Sequence, residues 1–361
     1  MRISERGLVS LIRRKLESNC SSREVILGPG DDAAVIAHPV GNALVISTDA
    51  LVENVHFRLD WATGCLLGKK AFLASVSDIF AMGARPQTCL VSLGLPVRTE
   101  PAFVEDIFDG MLEEANRLGA SVVGGNISRS DILFIDMTVT GVVQPDSVIT
   151  RAGAKVGDSI YVTGELGGAA LAAKNLLEGR IDGAMVTRAE AALKVGNEIS
   201  ETESDNAGVI ELLSRFFVPK IRADESLLLA EARICTSMID ISDGVGSDLG
   251  QICEESGVGA LVEIGSIPLF DKIPTMAMTE DSDLTELAIN GGEDYELLFT
   301  INPTDEARLH ELLGTNALCA ISRIGRITPE SEGVVYMNSK GERFERFAGF
   351  DHFAGRAAGN R

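Results

Sequence analysis

The chain has 361 residues, 45% of them hydrophobic and 5% aromatic, which is enough to bury two cores and leads us to expect two domains. Its 53 acidic residues outnumber its 32 basic ones and give a net charge of −21. This balance argues against nucleic-acid and anionic-membrane binding, because both need a basic face. Phosphate groups could bind such a protein only through local Arg or Lys side chains, helix N-termini or metal cations.

The six cysteines are scattered along the chain, without a C-x-x-C pair or a histidine-rich neighbourhood. We therefore expect the reduced thiols of a cytoplasmic protein rather than a disulfide framework or a zinc site. The N-terminal segment alternates charged and apolar residues at helical spacing, and the chain contains no run of 18 apolar residues. The sequence thus predicts neither a signal peptide nor a membrane span.

The first part of the chain alternates helical and strand-like segments. Apolar residues at spacings of three and four predict helices at Ile3–Leu16, Cys65–Met82 and Phe103–Leu118. Runs of β-forming residues predict strands at Ala43–Thr48, Gln87–Leu95, Ser121–Val123 and Ile132–Val143. This order predicts an α/β (α+β layered) fold, with an open sheet covered by helices on one side.

The character of the sequence changes near residue 150, at the basic glycine-containing turn RAGAKVGD. We place a domain boundary there, with an N-terminal domain over 1–148, a C-terminal domain over 149–353 and a disordered tail over 354–361. Predicted strands follow at Ser159–Thr163, Thr236–Ile241, and near 259–264 and 295–301. Predicted helices lie at Gly168–Leu177, Val245–Glu255 and in the polar region 178–206.

No phosphate-binding loop of the P-loop type is present, since GCLLGKK has the wrong spacing. The segment Gly28–Ala33, GPGDDA, is only a weak match to a dinucleotide-binding fingerprint. Its two adjacent aspartates would repel a pyrophosphate. If phosphate binds there, a cation must lie between the phosphate and these aspartates.

Carboxylates recur at turn-like positions beside apolar strands, and hard oxygen ligands on short connections suit Mg²⁺. Asp78 is the most informative, because it interrupts an apolar helix in which an unpaired carboxylate would be costly to bury. We assign Asp248 to helix capping or turn chemistry instead. The candidate carboxylates are Asp31, Asp32, Asp49, Asp78, Asp240, Asp243, Glu293 and Asp294.

Eight segments together resemble the thiamine-monophosphate kinase family over about residues 5–353: GDDAAV, STDALVENVHF, KAFLASVSDIFAMGA, VVGGNISRS, TRAGAKVGDSIYVTGELG, DISDGVGSDLG, NGGEDYELLFT and GFDHF. STDALVENVHF and GGEDYELLFT are the most specific of them. The family shares a superfamily with aminoimidazole ribonucleotide synthetase and with hydrogenase-maturation and selenophosphate synthetases. The resemblance implies a homodimer formed through the N-terminal sheet, and ATP bound with several Mg²⁺ ions in a cleft between two domains. The implied reaction is phosphorylation of thiamine monophosphate to the diphosphate.

The resemblance also implies roles for individual residues, with Asp49, Asp78 and Arg151 taking part in catalysis. Magnesium would be held by Asp32, Ser47, Thr48, Asp49, Asp78, Asn126, Asp240 and Asp243. ATP would contact Gly125, Asn126, Arg151 and Ser242, and thiamine monophosphate would contact His56, Glu293 and Phe350. Two residues depart from the family pattern: Asn126 stands where relatives often carry Asp, and Phe108 stands where some carry Tyr near the nucleotide.

These residues suit direct in-line phosphoryl transfer without a catalytic base, because the second pKa of a phosphate monoester is about 6. Two alternatives stay open. One is another ATP-dependent synthetase of the superfamily, although the chain ends in AAGNR and Cys20 lacks the setting of a reactive cysteine. The other is a non-catalytic, acidic metal-binding protein, which would need neither Arg151 nor the GGED loop.

Overall fold

A computed structural model describes residues 14–15, 25–27, 35–36, 40–195, 204–277, 283–315 and 318–345. Most of the predicted helix Ile3–Leu16 and the whole of the predicted tail lie outside these residues, as do Asp31, Asp32 and Phe350. In the first half, the strands are β1 (Val25–Leu27), β2 (Val35–Ile36), β3 (Ala43–Val52), β4 (Arg85–Leu95), β5 (Ser121–Arg129) and β6 (Phe134–Val143). The helices there are α1 (Gly64–Ala81) and α2 (Pro101–Leu118).

Strands β3 to β6 form a four-stranded sheet in the order β3-β6-β4-β5. The β4/β5 pair is parallel, and the other two pairs are antiparallel. Alternate side chains of β6, including Ile135, Met137 and Val139, are fully buried beneath the helices. The other face of the sheet leaves Leu44 and Ile46 exposed. The prediction of a sheet covered by helices on one side is confirmed.

Helix α1 is buried around its whole circumference, and Asp78 is its one residue that is not fully buried. Its first turn is capped by Thr63, whose hydroxyl accepts a hydrogen bond from the Leu66 amide at 3.3 Å. Glycines bring α1 and α2 unusually close, since a Cβ at Gly68 would lie 1.8 Å from the carbonyl oxygen of Ile107. Phe108 is buried on α2 as part of the same core.

Strand β5 is longer than the predicted Ser121–Val123, since it continues to Arg129. Gly124 and Gly125 favour a turn in the sequence, but the structure uses Gly125 for a close approach of two strands. A Cβ at Gly125 would lie 1.9 Å from the carbonyl oxygen of Val91 on β4. The missing side chain therefore permits the strand rather than ending it.

The second half contains β7 (Ser159–Thr163), β8 (Cys235–Asp240), β9 (Val258–Glu263), β10 (Leu297–Ile301), β11 (Ile321–Pro329), β12 (Val334–Met337) and β13 (Arg343–Glu345). Its helices are α3 (Gly168–Leu177), α4 (Gly183–Val195), α5 (Ser204–Phe217), α6 (Ala223–Ala232), α7 (Val245–Ser256), α8 (Leu284–Asn290) and α9 (Glu306–Thr315). The strands form one sheet in the order β13-β12-β9-β11-β7-β10-β8. Only the β9/β12 pair is parallel.

The two halves pack against each other through α1. One buried cluster joins Leu66 and Phe72 of α1 to Leu171 of α3 and Phe216 of α5. Helix α1 also contacts the edge strand β8. Polar side chains on α1 therefore face groups from the second half, and this positions the site described below. The domain boundary at residues 148/149 stays a prediction.

No helix in the described part of the chain combines the length and the apolar character needed to span a bilayer. The cysteines in that part, Cys65, Cys89, Cys235, Cys253 and Cys319, are all free thiols.

Candidate active site

The first contact of the site joins β3 to α1. Side chains alternate between the faces of a strand, so Ser47 and Asp49 share the face that lies under the helices. The Ser47 hydroxyl donates a 2.5 Å hydrogen bond to Oδ2 of Asp78. Asp78 is the half-exposed residue of an otherwise buried helix. Its side chain thus points into the cleft, as its position in the apolar sequence suggested.

The second contact joins α1 to the end of β8. Asp240 is the last residue of that strand and only 2% exposed. Its Oδ2 accepts a 2.7 Å hydrogen bond from the hydroxyl of Ser77, the residue before Asp78. Two adjacent residues of one helix therefore engage β3 on one side and β8 on the other.

The carboxylates of this cluster repel one another. Partial desolvation and the charge of Asp78 raise the pKa of Asp49 to about 6, with smaller contributions from Asp136 and Asp243. Burial and the charge of Asp78 raise the pKa of Asp240, and the positive charge of Arg151 partly opposes this. Desolvation first and mutual repulsion second thus disfavour the charged carboxylates, and a bound cation would offset both.

The ligand atoms that these residues supply are of the type that Mg²⁺ binds. They supply hard oxygen donors, and Mg²⁺ commonly takes only one or two protein carboxylates, with phosphate and water oxygens completing its octahedron. Within the described ranges, no three His, Cys, Asp or Glu side chains come close enough to enclose a metal ion by themselves. Asp32, the remaining predicted carboxylate ligand, lies outside those ranges.

The loop between β8 and α7 carries Ser242 and Asp243, both half-buried. Asp248 in the first turn of α7 accepts a 3.1 Å hydrogen bond from the Asp243 amide and is itself fully buried. Burial and the nearby Asp240 raise the pKa of Asp248 to about 8. Asp248 thus shapes the loop, as predicted for a turn residue, and Asp243 is presented near Asp49.

The GGED loop sends its two carboxylates in different directions. Asp294 accepts hydrogen bonds from the amides of Gly167 and Ala169, at 2.7 and 3.2 Å, and so caps the start of α3. Glu293 instead lies 2.7 Å from the Nζ atom of Lys70 on α1. Only Glu293 of this pair is therefore directed toward the junction of the two halves.

A cavity of about 350 Å³ opens beside the carboxylates, between β3, the end of α1, the 149–152 segment and β8. Its polar lining comes from Ser47, Asp78, Thr150, Arg151 and Glu255, and Met82 and Ile149 contribute to its apolar lining. Arg151 is exposed, and its Nη1 atom donates a 2.6 Å hydrogen bond to Oε1 of Gln251. The predicted arginine thus lies at the mouth of a space beside the acidic cluster.

His56 lies in the turn after β3 and is half-buried. Its Nδ1 atom accepts a 3.0 Å hydrogen bond from the Val52 amide, so the second ring nitrogen is the one available to carry a proton. The neighbouring Asn54 has a positive φ of 64°, which marks the tight turn that places the ring. The substrate role of His56 stays a prediction.

Thr48 and Asn126 lie on the opposite face of the sheet from Asp49. Strand pairing connects Ala50 to Asp136, then to Ser92 and Asn126, along one row of that face. The Thr48 hydroxyl lies 3.4 Å from Oδ1 of Asp136, and Asn126 is exposed beside Ser128. The predicted metal ligands therefore divide into two groups on the two faces of one sheet.

Two contacting residues were missed by reasoning from the sequence, Ser77 and Lys70. Lys70 carried a usable signal, because a charge inside an apolar helix had already marked Asp78. Its partner Glu293 lies in the other half of the chain, so the ion pair could not be read from local sequence.

Residues 30–143 match the family described as AIR synthase related protein, N-terminal domain, and residues 155–338 match the corresponding C-terminal domain. The fold and the acidic cleft between its halves therefore define a two-domain AIR synthase-related protein.

The chain is 31% identical to the thiamine-monophosphate kinase of Synechococcus elongatus, over 97% of each chain. Among solved structures, thiamine-monophosphate kinase from Stenotrophomonas maltophilia K279a matches with a TM-score of 0.77 and 28% identity, over 91% of this chain and 95% of that one. AaThiL complexed with AMPPCP and TMP matches with a TM-score of 0.69 and 29% identity, over 98% of this chain and 99% of that one. The chain belongs to the thiamine-monophosphate kinase family.

Proposed function

We propose that this protein transfers the γ-phosphoryl group of ATP directly to thiamine monophosphate, in line and with the help of Mg²⁺, to form thiamine diphosphate. The observation that carries the proposal is the meeting of Ser47, Asp49 and Asp78 from the first half with Asp240 and Arg151 from the second. This charged cleft occurs in a chain whose full-length relatives are thiamine-monophosphate kinases.

The reaction needs no catalytic base. The acceptor phosphate has a second pKa of about 6 and is largely dianionic at neutral pH, so it is already nucleophilic. The barrier comes instead from bringing two anions together. Side chains that position the reactants and neutralise their charge are therefore sufficient, and we expect no phosphoenzyme.

Charge neutralisation is the task of Arg151 and of the carboxylate cluster. Arg151 supplies a permanent positive charge at the mouth of the cavity, in reach of phosphate oxygens. Asp49, Asp78, Asp240 and Asp243, with the Ser47 hydroxyl, would hold Mg²⁺, which neutralises phosphate charge and polarises the transferred group when bound. Magnesium roles for Asp32, Thr48 and Asn126 rest on the resemblance alone.

We assign the cavity beside Asp78 to the nucleotide. Its apolar lining suits a flat base, and its polar side is the side that carries Asp78 and Arg151. Contacts from Gly125, Asn126 and Ser242 to ATP stay predictions. Thiamine monophosphate would then approach from the side of His56 and Glu293, with Phe350 as a further predicted contact.

We further propose a cytoplasmic homodimer formed through the uncovered face of the N-terminal sheet. Leu44, Ile46 and Leu90 are 45%, 61% and 45% exposed on this face, and an association that covers them would remove apolar surface from water. Sheets pack face to face about 10 Å apart, so a second copy of the same face would cover these side chains.

The test is to incubate the protein with ATP, Mg²⁺ and thiamine monophosphate and to measure thiamine diphosphate. Replacing the acceptor with thiamine should abolish product formation, and EDTA should abolish it as well. ATP made chiral at the γ-phosphorus tests the direct route, since one in-line transfer inverts the configuration and a phosphoenzyme route retains it. Absence of thiamine diphosphate with all components present would reject the proposed function.

A further inference from the structure

Lys70 is a fully buried cation in the middle of α1. Its Nζ atom lies 2.7 Å from Oε1 of Glu293, donates a 2.9 Å hydrogen bond to the Phe216 carbonyl oxygen and sits 3.6 Å from the centre of the Phe216 ring. An ammonium group has three N–H donors, and an aromatic face stabilises it further. These partners therefore stabilise the buried positive charge of Lys70. Elements from both halves of the chain thus meet at one buried atom.

Glu293 is exposed on one side of this contact. Its Oε1 atom is buried, yet the side chain keeps 23% of its surface exposed. The exposed part therefore lies on the remainder of the carboxylate arm. Oε1 faces Lys70, and the part of the side chain that remains exposed is the part that a ligand could reach.

The backbone of the GGED loop is held by the segment that follows β8 in the second half of the chain. The Glu293 amide donates to the Ser242 carbonyl and the Tyr295 amide donates to the Ile241 carbonyl, both at 2.9 Å. Glu293 and Tyr295 have positive φ angles of 71° and 50°, which are strained for residues with side chains. A Cβ at Gly292 would lie 1.8 Å from the Ser242 carbonyl oxygen, so this loop runs directly against the β8–α7 loop.

Different elements fix the backbone of Glu293 and the direction of its side chain. The backbone contacts come from the loop after β8, whereas the charged contact comes from α1 in the first half. Helix α1 also presents Asp78 to the nucleotide side of the cleft. One helix therefore carries a residue directed to each side of the proposed reaction centre.

We propose that Lys70 is a positioning residue, whose buried ammonium fixes the Glu293 carboxylate for thiamine monophosphate and ties the substrate side of the cleft to α1. The inference rests on the proposed function, because it names a substrate of that reaction. The thiamine ring system is cationic, so a correctly aimed carboxylate attracts it in the ground state and the transition state alike. Loss of this carboxylate orientation should then raise KM for that substrate more than it lowers kcat.

Lys69 provides a matched control. It is the preceding residue of the same helix and is only 9% exposed. Its Nζ atom pairs with Glu113 and lies 3.5 Å from Oε1 of Glu114, both on α2 and away from the cleft. Lys69→Met and Lys70→Met therefore remove the same group from neighbouring buried sites, and only the second faces Glu293.

The experiment compares both variants with the wild-type protein by steady-state kinetics, thermal melting and calorimetric binding of thiamine monophosphate without ATP. Lys70→Met should raise KM and Kd for thiamine monophosphate at least tenfold and change KM for ATP less than twofold. Lys69→Met should lower the melting temperature but leave all three constants within twofold. Unchanged thiamine monophosphate constants in folded Lys70→Met, or equal losses for both substrates, would overturn the inference.

A double variant covers the case in which Lys70→Met does not fold. Removing one partner of a buried ion pair leaves the other charge unpaired, whereas removing both does not. Lys70→Met combined with Glu293→Gln should fold and should match the KM of Glu293→Gln within about threefold. An additional tenfold rise in the double variant would show that Lys70 acts independently of Glu293 and would overturn the inference. If wild-type protein makes no thiamine diphosphate, the proposed function fails, and the calorimetric comparison still decides the role of Lys70.

Discussion

The two faces of the N-terminal sheet differ in what their polar residues contact. On the covered face, Ser47 reaches Asp78 on α1, and the preceding residue of that helix, Ser77, reaches Asp240 across the boundary between the halves. On the uncovered face, Thr48 contacts Asp136 of the same sheet, and Asn126 lies beside Ser128 of its own strand. Polar groups on the first face join the two halves, and those on the second stay within one layer.

The difference shows that residues adjacent in a sequence motif need not lie in the same site. STDA reads as one cluster of ligands in the sequence, but a β-strand turns successive side chains to opposite faces. Ser47 and Asp49 therefore belong to the cleft, and Thr48 belongs to the surface that we assign to the dimer. If both proposals hold, one strand serves the reaction and the assembly.

Removing carboxylates from the covered face should have the largest effect on activity. We expect Asp49→Asn and Asp78→Asn each to lower kcat/KM by roughly 10²–10⁴-fold, because losing about 3–5 kcal/mol of charge stabilisation has that effect. Asp136→Asn, which removes a carboxylate from the uncovered face, should change kcat/KM by less than about threefold. Near-normal turnover of either cleft variant at saturating Mg²⁺ would contradict the proposed cluster.

The next largest effect concerns association through the uncovered face. Ile46→Lys places a charge within the proposed interface, on its most exposed apolar side chain, and should weaken dimerisation at least about 100-fold, since burying an unpaired ammonium is costly. Val97→Lys is the control, because Val97 is 63% exposed but lies outside the sheet. Sedimentation equilibrium measures both variants. An Ile46→Lys protein that dimerises as tightly as wild type would place the interface elsewhere.

The elements best predicted from the sequence were those with an unbroken local pattern. Strand β7 and helix α3 have the predicted bounds, and α1 and α2 differ from theirs by one or two residues at an end. The region 178–206 was predicted as helical, and α4 occupies the part from Gly183 to Val195. The elements not predicted were helices α5, α6, α8 and α9 and strands β1, β2 and β11 to β13. Most of them are short or mix polar and apolar residues without a clear single period, whereas α5 is amphipathic and could have been found.

The site was predictable where a residue violated its local environment. Asp78 stood out because it is a carboxylate in an apolar helix, and the structure shows it turned into the cleft. The contacts Ser77–Asp240 and Lys70–Glu293 join residues far apart in the chain, so they depend on how the halves pack. Asp294 could not be separated from Glu293 by sequence, because its role as a cap for α3 appears only when the loop is folded.

A smaller effect concerns pH. Burial raises the pKa of Asp294 to about 7 and that of Asp248 to about 8, so the folded protein binds protons more tightly at these sites than the unfolded chain does. Their contribution to stability is complete below about pH 4 and is lost as the pH rises through 7 to 8. Without Mg²⁺, we expect the melting temperature to fall by roughly 5–10 °C between pH 5 and pH 8.

Two variants and added Mg²⁺ separate the groups that cause the fall in melting temperature. Asp294→Asn should flatten the pH dependence whether or not Mg²⁺ is present, because Asp294 caps a helix. Mg²⁺ should raise the melting temperature more at pH 8 than at pH 5, since protons compete with it for the cleft carboxylates, and Asp49→Asn should reduce this gain. A magnesium effect that is equal at both pH values would contradict a cation site on the covered face.

The smallest expected effects belong to Thr48 and Asn126, where the family resemblance and the geometry give different forecasts. The resemblance makes both residues magnesium ligands, whereas the strand places them across the sheet from Asp49. We expect Thr48→Val and Asn126→Ala to change the Mg²⁺ concentration for half-maximal activity by less than about threefold. Ser47→Ala should raise it about tenfold, because it removes one hydrogen bond to a charged group, worth about 1.5 kcal/mol, that orients Asp78. Titrating activity against Mg²⁺ at saturating ATP measures all three variants. A tenfold rise in this Mg²⁺ concentration for Thr48→Val would mean that the metal site extends around the edge strand β3. The two faces of the sheet would then not have separate roles.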